Sequence, residues 1–283
     1  MIAAILKEIF GLLFKPMSEF SGYEKALQAT DGYAVDVQPL KLSEIWTAAN
    51  TWEKAMVGDP YMEYHLADGR PTPHKIQRIA NAAMLALWIG DVPIFTAEGG
   101  ASLSLNYNPM GRPKTRLGKL KHKLAMKIYV STDGKKTKEQ QKRWDECREK
   151  EDACFRKAIP PEEAKEMYIV GQMATDPQYQ GRGLGSAVLQ AMTALANKEH
   201  RACWLTSSNI ANEAFYNSNG FFAMAQFTVG ESNPSWHKKP VLVQIMVREP
   251  EGGRRVFEQT SSPSQSSPLI KADNRDVPLQ FRF

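Results

Sequence analysis

At 283 residues the chain suits one decorated domain or at most two, and its 42% hydrophobic content is enough for a core. Thirty-six basic residues against 31 acidic ones leave a net charge of only +5, without the concentrated basic face that nucleic-acid binding calls for. Cys147, Cys154 and Cys203 form no C-x-x-C pair, which argues against a zinc set or a disulfide framework and for a reducing, cytoplasmic setting.

Residues 1–30 are expected to be an amphipathic helical extension. Ile2, Ile5, Leu6, Ile9, Phe10, Leu13 and Phe14 recur at helical spacing, with Lys7 and Glu8 opposite. The pattern of a signal peptide is not clear in it. Packing on the domain is one reading of residues 1–20, and peripheral contact with a membrane or a partner is the other. No run of eighteen apolar residues exists, so no transmembrane helix is expected.

Tyr33–Leu40 alternates and predicts a strand. Leu42–Val57 has helical spacing after Ser43-x-x-Trp46, and Asp59-Pro60 is read as its stop. Pro73–Ile89 predicts a second helix, with Ile76, Ile79, Ala80, Ala83, Leu87 and Trp88 inward. Pro93–Ala97 and Ala101–Tyr107 predict a strand pair around Glu98-Gly99-Gly100. Residues 114–157 are polar and mostly helical, broken at Ser131–Gly134, and read as an insertion before the next strand. The basic run Arg112–Lys127 reads as an amphipathic surface helix, with an anion-attracting rim as the alternative. Then follow strand Tyr168–Thr175, loop Asp176–Tyr179, helix Leu184–Lys198, strand Cys203–Ser207 and helix Asn212–Ser218. Strands Phe221–Thr228 and Val241–Arg248 close the pattern around a polar loop with Trp236 and His237. Residues 250–283, with Thr260–Pro268 rich in Ser and Pro, are expected to be a disordered tail.

The most specific stretch is Gln180-Gly181-Arg182-Gly183-Leu184-Gly185, between a predicted strand and a predicted helix. Bare N–H groups and the positive end of a helix dipole bind phosphate oxygens there, and glycines permit close backbone approach. The spacing is not that of the dinucleotide fingerprint, and Ser186-Ala187 after Gly185 is not the Lys-Ser or Lys-Thr of a nucleotide P-loop. Q-x-x-G-x-G is instead the pyrophosphate loop of GNAT N-acetyltransferases. Asn209 to Phe221 resembles that family's second signature, N-x(5)-[LF]-Y-x(3)-G-F. The chain therefore resembles the GNAT family, in element order over Tyr33 to Arg248 and specifically over Met167 to Phe221. With a helical insert before the cofactor strand it looks like a fungal-type member.

The resemblance implies an α/β (α+β) fold, a mixed and mostly antiparallel splayed sheet with helices on both faces, over residues 31–249. It implies acetyl-CoA as cosubstrate and a primary amine as acceptor. Met173, Ala174 and Thr175 would pair with the pantetheine arm. Gln180, Gly181, Arg182, Gly183, Leu184, Gly185 and Ser186 would surround the pyrophosphate, and Asn209 would reach the pantetheine or the 3′-phosphoadenosine. Tyr216 would protonate the leaving thiolate as general acid. The acceptor reads as a small molecule, because a helical insertion would close the open groove a peptide needs. A protein lysine or N-terminus, and a non-catalytic acyl-CoA-binding module, are the alternatives.

The general base is the gap. Relatives often carry an acidic or polar residue two places before the position of Met173, and here that residue is Gly171, followed by Gln172. A water relay or an already neutral amine would remove the need for a base, and a cleft widened at Gly171 is the other reading. Glu166 and Glu98 are candidates that read more simply as surface acids. Ser207-Ser208 read as a helix cap and Cys203 as a buried, inert thiol. The five histidines are scattered, so no metal is expected. The sequence leaves the oligomeric state open.

Overall fold

Alternating β-branched and aromatic residues set the strands, and glycines set the turns between them. The computed structural model describes residues 35–69, 72–110, 115–132 and 136–252. The expected N-terminal helix and almost all of the expected tail lie outside the described residues. Among the described residues, seven strands occur: β1 Val37–Pro39, β2 Ile94–Ala97, β3 Ser102–Tyr107, β4 Tyr168–Thr175, β5 Cys203–Ser207, β6 Phe222–Val229 and β7 Val241–Arg248. They form one sheet in the order β1-β2-β3-β4-β5-β7-β6. Every pairing is antiparallel except β4 with β5.

That parallel pairing is short. It joins Tyr168 to Cys203 and Ile169 to Trp204, and then the strands part. From Val170 onward, β4 keeps its ladder with β3 and presents an unpaired edge towards β5. The sheet is splayed in the middle.

Helices cover both faces. On one face lie α7 (Leu184–Lys198) and α8 (Glu213–Ser218). Leu184, Val188, Met192 and Leu195 of α7 pack there on Phe95, Tyr168, Val170 and Leu205. On the other face, α1 (Ile45–Ala55), α3 (His74–Trp88) and α4 (Arg116–Thr132) cover the β2–β4 side. The β5–β7 side of that face is covered by α5 (Lys138–Ala158) and α6 (Pro161–Glu166), whose Cys154, Ala158 and Ala164 meet Ile169, Trp204 and Ile245. Among the described residues, no helix is long and apolar enough to cross a membrane.

Two prolines start helices. Asp59 caps α2 (Pro60–Leu66), accepting the Met62 N–H at 2.9 Å, with Pro60 in the first turn. Pro161 opens α6 in the same way. A proline costs nothing in a first turn, where its missing N–H has no helical partner anyway. The stretch read from sequence as polar also supplies core. Thr137 and Gln140 form a capping box for α5, and Arg143, Cys147, Glu151 and Cys154 of that helix are buried. Arg143 is fully buried; it donates to Asp68 at 2.6 Å and to the Ser235 carbonyl at 3.2 Å, tying α5 to the α2 side and to the β6–β7 loop. On α4, Lys121 is 4% exposed and bonds Asp91 at 2.7 Å.

Gly171 sits at an irregularity in the β3–β4 ladder, where Leu105 faces Gln172 and Asn106 faces Val170. A Cβ at Gly171 would collide with the ring of Tyr107. Tyr107 itself packs edge-on against Trp88 at 5.7 Å, so it has little room to retreat. Gly171 does not widen a cleft; the Tyr107 ring takes the space that its missing side chain leaves. Gly171→Ala is therefore expected to destabilise the fold by about 1–3 kcal/mol, the usual cost of overpacking, read as a lower midpoint in urea unfolding.

Candidate acyl-CoA site

The turn between β4 and α7 is anchored from both sides. Asp176 caps the turn Pro177–Tyr179 through the Gln178 N–H at 3.1 Å, and Lys54 of α1 anchors it at 2.7 Å. Gln180 donates to the Thr175 carbonyl at 3.4 Å. Gly181 and Gly183 follow with φ of +77° and +79°, a backbone region that strains any side chain. Nothing stands within 4 Å of where a Cβ would sit on either, so the space above them is open. At Gly185 the reason differs: its Cβ position lies 3.3 Å from Thr175 and 3.5 Å from Phe215, so glycine there allows close packing of α7.

The first bond of α7 runs from the Ala187 N–H to the Gly183 carbonyl at 3.0 Å. The N–H groups of Leu184, Gly185 and Ser186 thus precede the helical ladder. The Leu184 side chain is core, 4% exposed, so only its backbone faces the turn. The Arg182 guanidinium lies 5.0 Å from the centre of the Tyr179 ring and donates to the Gln178 carbonyl at 3.2 Å, a fixed cation at the turn. Open space over two glycines, free helix-start donors and Arg182 fit a pyrophosphate.

The splayed edge follows directly. Met173 turns to the α7 face, against the cluster that holds Tyr216. Thr175 lies 2.8 Å from Ser102, hydroxyl to hydroxyl. Ala174 is buried on the opposite face. These three residues offer the opening mainly their backbone.

Tyr216, on α8, is 8% exposed and packs edge-on against Phe215 and Phe221, at 5.1 and 6.3 Å between ring centres. Burial, and then the charge of Asp59, push its phenol well above the ordinary tyrosine value. It is a neutral O–H donor at any working pH. Among the described residues, no hydrogen bond engages that hydroxyl. Asp59 links the site to α2, since it accepts from Ser208 at 2.7 Å as well as capping that helix.

Asn209, not Ser207 or Ser208, is the cap after β5. Its side chain accepts the Ala211 N–H at 3.0 Å and starts the turn Ile210–Asn212. Among the described residues, its amide nitrogen makes no hydrogen bond. Ser186 meets the Asn219 amide at 3.4 Å, which joins α7 to the end of α8.

The base candidates on or near β4 lie elsewhere. Glu166 precedes β4 and is ion-paired with Arg201, and Glu98 is exposed in the turn after β2 with φ of +50°. Gln172 contacts the Met56 sulfur at 3.4 Å. A carboxyl that sequence reading passed over is bonded to β5 instead. Glu151 of α5 is 6% exposed and accepts from Thr206 of β5 at 2.9 Å. Burial pushes it up to about 8, the Thr206 bond opposes that, and Asp152 adds to it. Its signal is helical spacing: Cys147, Glu151, Cys154 and Ala158 share one buried stripe.

Three further buried groups are pushed towards their neutral forms. Burial pushes the Cys147 and Cys203 thiols up to about 12. Burial, with Lys136 adding, lowers the His65 imidazole to about 3, and its ring packs against Tyr61 and Trp144 at 4.5 and 4.7 Å. Beside the Asp59–Ser208 bridge opens a surface cleft of about 340 Å³, lined by Pro60, Glu63, Ile210, Trp236 and Lys238 among others.

The family model described as an acetyltransferase (GNAT) domain matches residues 148–222, from within α5 to the first residue of β6. No curated protein matches the chain. Among solved structures, histone acetyltransferase HPA2 and related acetyltransferase from Corynebacterium glutamicum is similar at 19% identity and a TM-score of 0.46, over 77% of this chain and 97% of that one. Arylalkylamine N-acetyltransferase 2 from Aedes aegypti is similar at 12% identity and a TM-score of 0.49, over 77% and 99%. An N-acetyltransferase from Staphylococcus aureus Mu50 is similar at 17% identity and a TM-score of 0.42, over 74% and 99%. The chain thus carries an acetyltransferase (GNAT) domain match over the strand, glycine turn and tyrosine helix of its site, on a splayed, mostly antiparallel sheet of the GNAT fold.

Proposed function

We propose that the protein transfers an acetyl group from acetyl-CoA to a primary amine of a small molecule, by direct attack, with Tyr216 as general acid. One observation carries the reading. The opening between β4 and β5 has the glycine turn at its end and the Tyr216 phenol in the adjoining cluster. In this reading the backbone of Met173–Thr175 pairs with the pantetheine arm as an added strand would. The turn from Gln180 to Ser186 holds the pyrophosphate, and the Asn209 amide faces the cosubstrate.

Direct transfer asks little more of the chain. It must hold amine and thioester in line, offer an N–H on the β4 edge to the developing oxyanion, and protonate sulfur. The preference for a small amine rests on the acceptor side. There α5 lies over β5–β7 and is locked to α2 and the β6–β7 loop through Arg143. The cleft beside the Asp59–Ser208 bridge is of small-molecule size. A protein lysine or N-terminus would need a more open groove.

A second reading is a non-catalytic acyl-CoA-binding module, favoured by Gly171 where relatives often carry an acidic or polar residue. Calorimetric titration with acetyl-CoA, followed by a screen of primary amines for thiol release, separates the two. Micromolar binding with turnover supports the transferase. Binding with no amine acetylated supports the module, and no binding removes both.

A further inference from the structure

We propose that Glu151 is the general base of the reaction: it takes the proton of the acceptor ammonium, as a carboxylate brought to the opening by α5 rather than by β4. This inference rests on the acetyltransferase reading. The β4–β5 register pairs Tyr168 with Cys203 and Ile169 with Trp204, so two residues on, Gly171 and Thr206 are the corresponding positions on opposite lips of the opening. The β4 lip has no carboxylate, and at Gly171 the Tyr107 ring fills the side-chain space. On the β5 lip, Thr206 follows Trp204 on the face that α5 covers, and its hydroxyl holds Glu151 at 2.9 Å.

The environment of Glu151 is unusual for a structural carboxylate. Buried carboxylates normally have a cation or several donors. Among the described residues, Thr206 is the one hydrogen-bond partner of Glu151, and no ion pair engages it. The titratable groups around it are Tyr61 from α2 and Cys147, Cys154 and Asp152 from α5 itself. None is a cation. A protonated amine arriving at the opening supplies the missing positive charge.

The proton balance closes. Glu151 takes one proton from the ammonium and releases it to solvent after turnover. The neutral nitrogen bonds to the thioester carbon. As the C–S bond breaks, its electron pair stays on sulfur, which takes the Tyr216 proton. The second proton on nitrogen restores the phenol.

The test uses the full chain, acetyl-CoA and a panel of phenethylamine, spermidine, glucosamine and lysine. Burial sets the Glu151 carboxyl at about 8. A base must be ionised, so kcat/KM rises with pH through that region, at the same place for amines of different basicity. Glu151→Gln lowers kcat/KM at pH 8 by about 10²-fold or more, leaves acetyl-CoA affinity unchanged, and moves the rising limb to the amine's own ionisation. Glu151→Asp recovers part of the rate. A Glu151→Gln enzyme within a few-fold of wild type with an unmoved limb overturns the proposal. So does a wild-type limb that tracks the amine, a result that needs no variant. If the wild type acetylates none of the panel while binding acetyl-CoA, the transferase reading fails and takes the base with it.

Discussion

Gly183→Asp abolishes saturable binding of acetyl-CoA in calorimetric titration, weakening it by at least about 100-fold, while the far-ultraviolet circular dichroism stays that of the wild type. Two costs add at this position. The first is conformational: φ is +79°, and a side chain in left-handed backbone costs about 1–2 kcal/mol. The second is electrostatic, because the new carboxylate stands where the N–H groups at the start of α7 would meet phosphate, and two anions compete for one set of donors. Gly183→Ala separates the costs. Nothing lies within 4 Å of the new Cβ, so alanine adds the conformational cost without a clash or a charge. It should weaken binding roughly tenfold, as about 1–2 kcal/mol implies. Equal effects of alanine and aspartate would mean that the turn is a hinge of the backbone and not an anion site.

Tyr216→Phe lowers kcat by about 10²-fold with acetyl-CoA affinity unchanged, measured by thiol release and calorimetry on one preparation. The variant keeps the ring that packs on Phe215 and Phe221 and removes one oxygen. The phenol is held far above the ordinary tyrosine value, first by burial and then by Asp59, so it stays protonated throughout the working range. Wild-type activity should accordingly show no falling limb from Tyr216 up to about pH 10, the ordinary tyrosine value. Loss of affinity in step with kcat would instead mark Tyr216 as packing.

Much of the local structure of this candidate site was legible in the residues. The strand Tyr168–Thr175, the helix Leu184–Lys198 and the strand Val241–Arg248 stand where periodicity put them, because each is long and regularly patterned. The Gln180–Gly185 turn was legible because positive φ and open space are demands that only glycine meets at Gly181 and Gly183. The splay was not, since nothing in the side chains of β4 and β5 says that they part after two pairs; only the family resemblance implied it. Helix α2 was hidden because Asp59-Pro60, read as a stop, is the cap and first residue of the next helix, while α1 ends at Ala55. Glu151 was hidden by composition: α5 is charged over most of its surface, and its one buried stripe includes a carboxylate among the apolar positions. Asn209 was passed over as a cap because two serines precede it.

The short β4–β5 pairing has a mechanical consequence. Among the described residues, the β4–β5 ladder joining β1–β4 to β5–β7 holds two residue pairs, so the sheet behaves as two plates joined along a seam. Beyond the seam, amides on the facing edges have no neighbour strand to shield them from solvent. A ligand that lays its own amides in the gap is a splint across the plates, and it stiffens both at once. Hydrogen–deuterium exchange should therefore slow on Val170–Thr175 and on Leu205–Ser207 together when acetyl-CoA is added, and slow less with a truncated pantetheine that cannot reach the glycine turn.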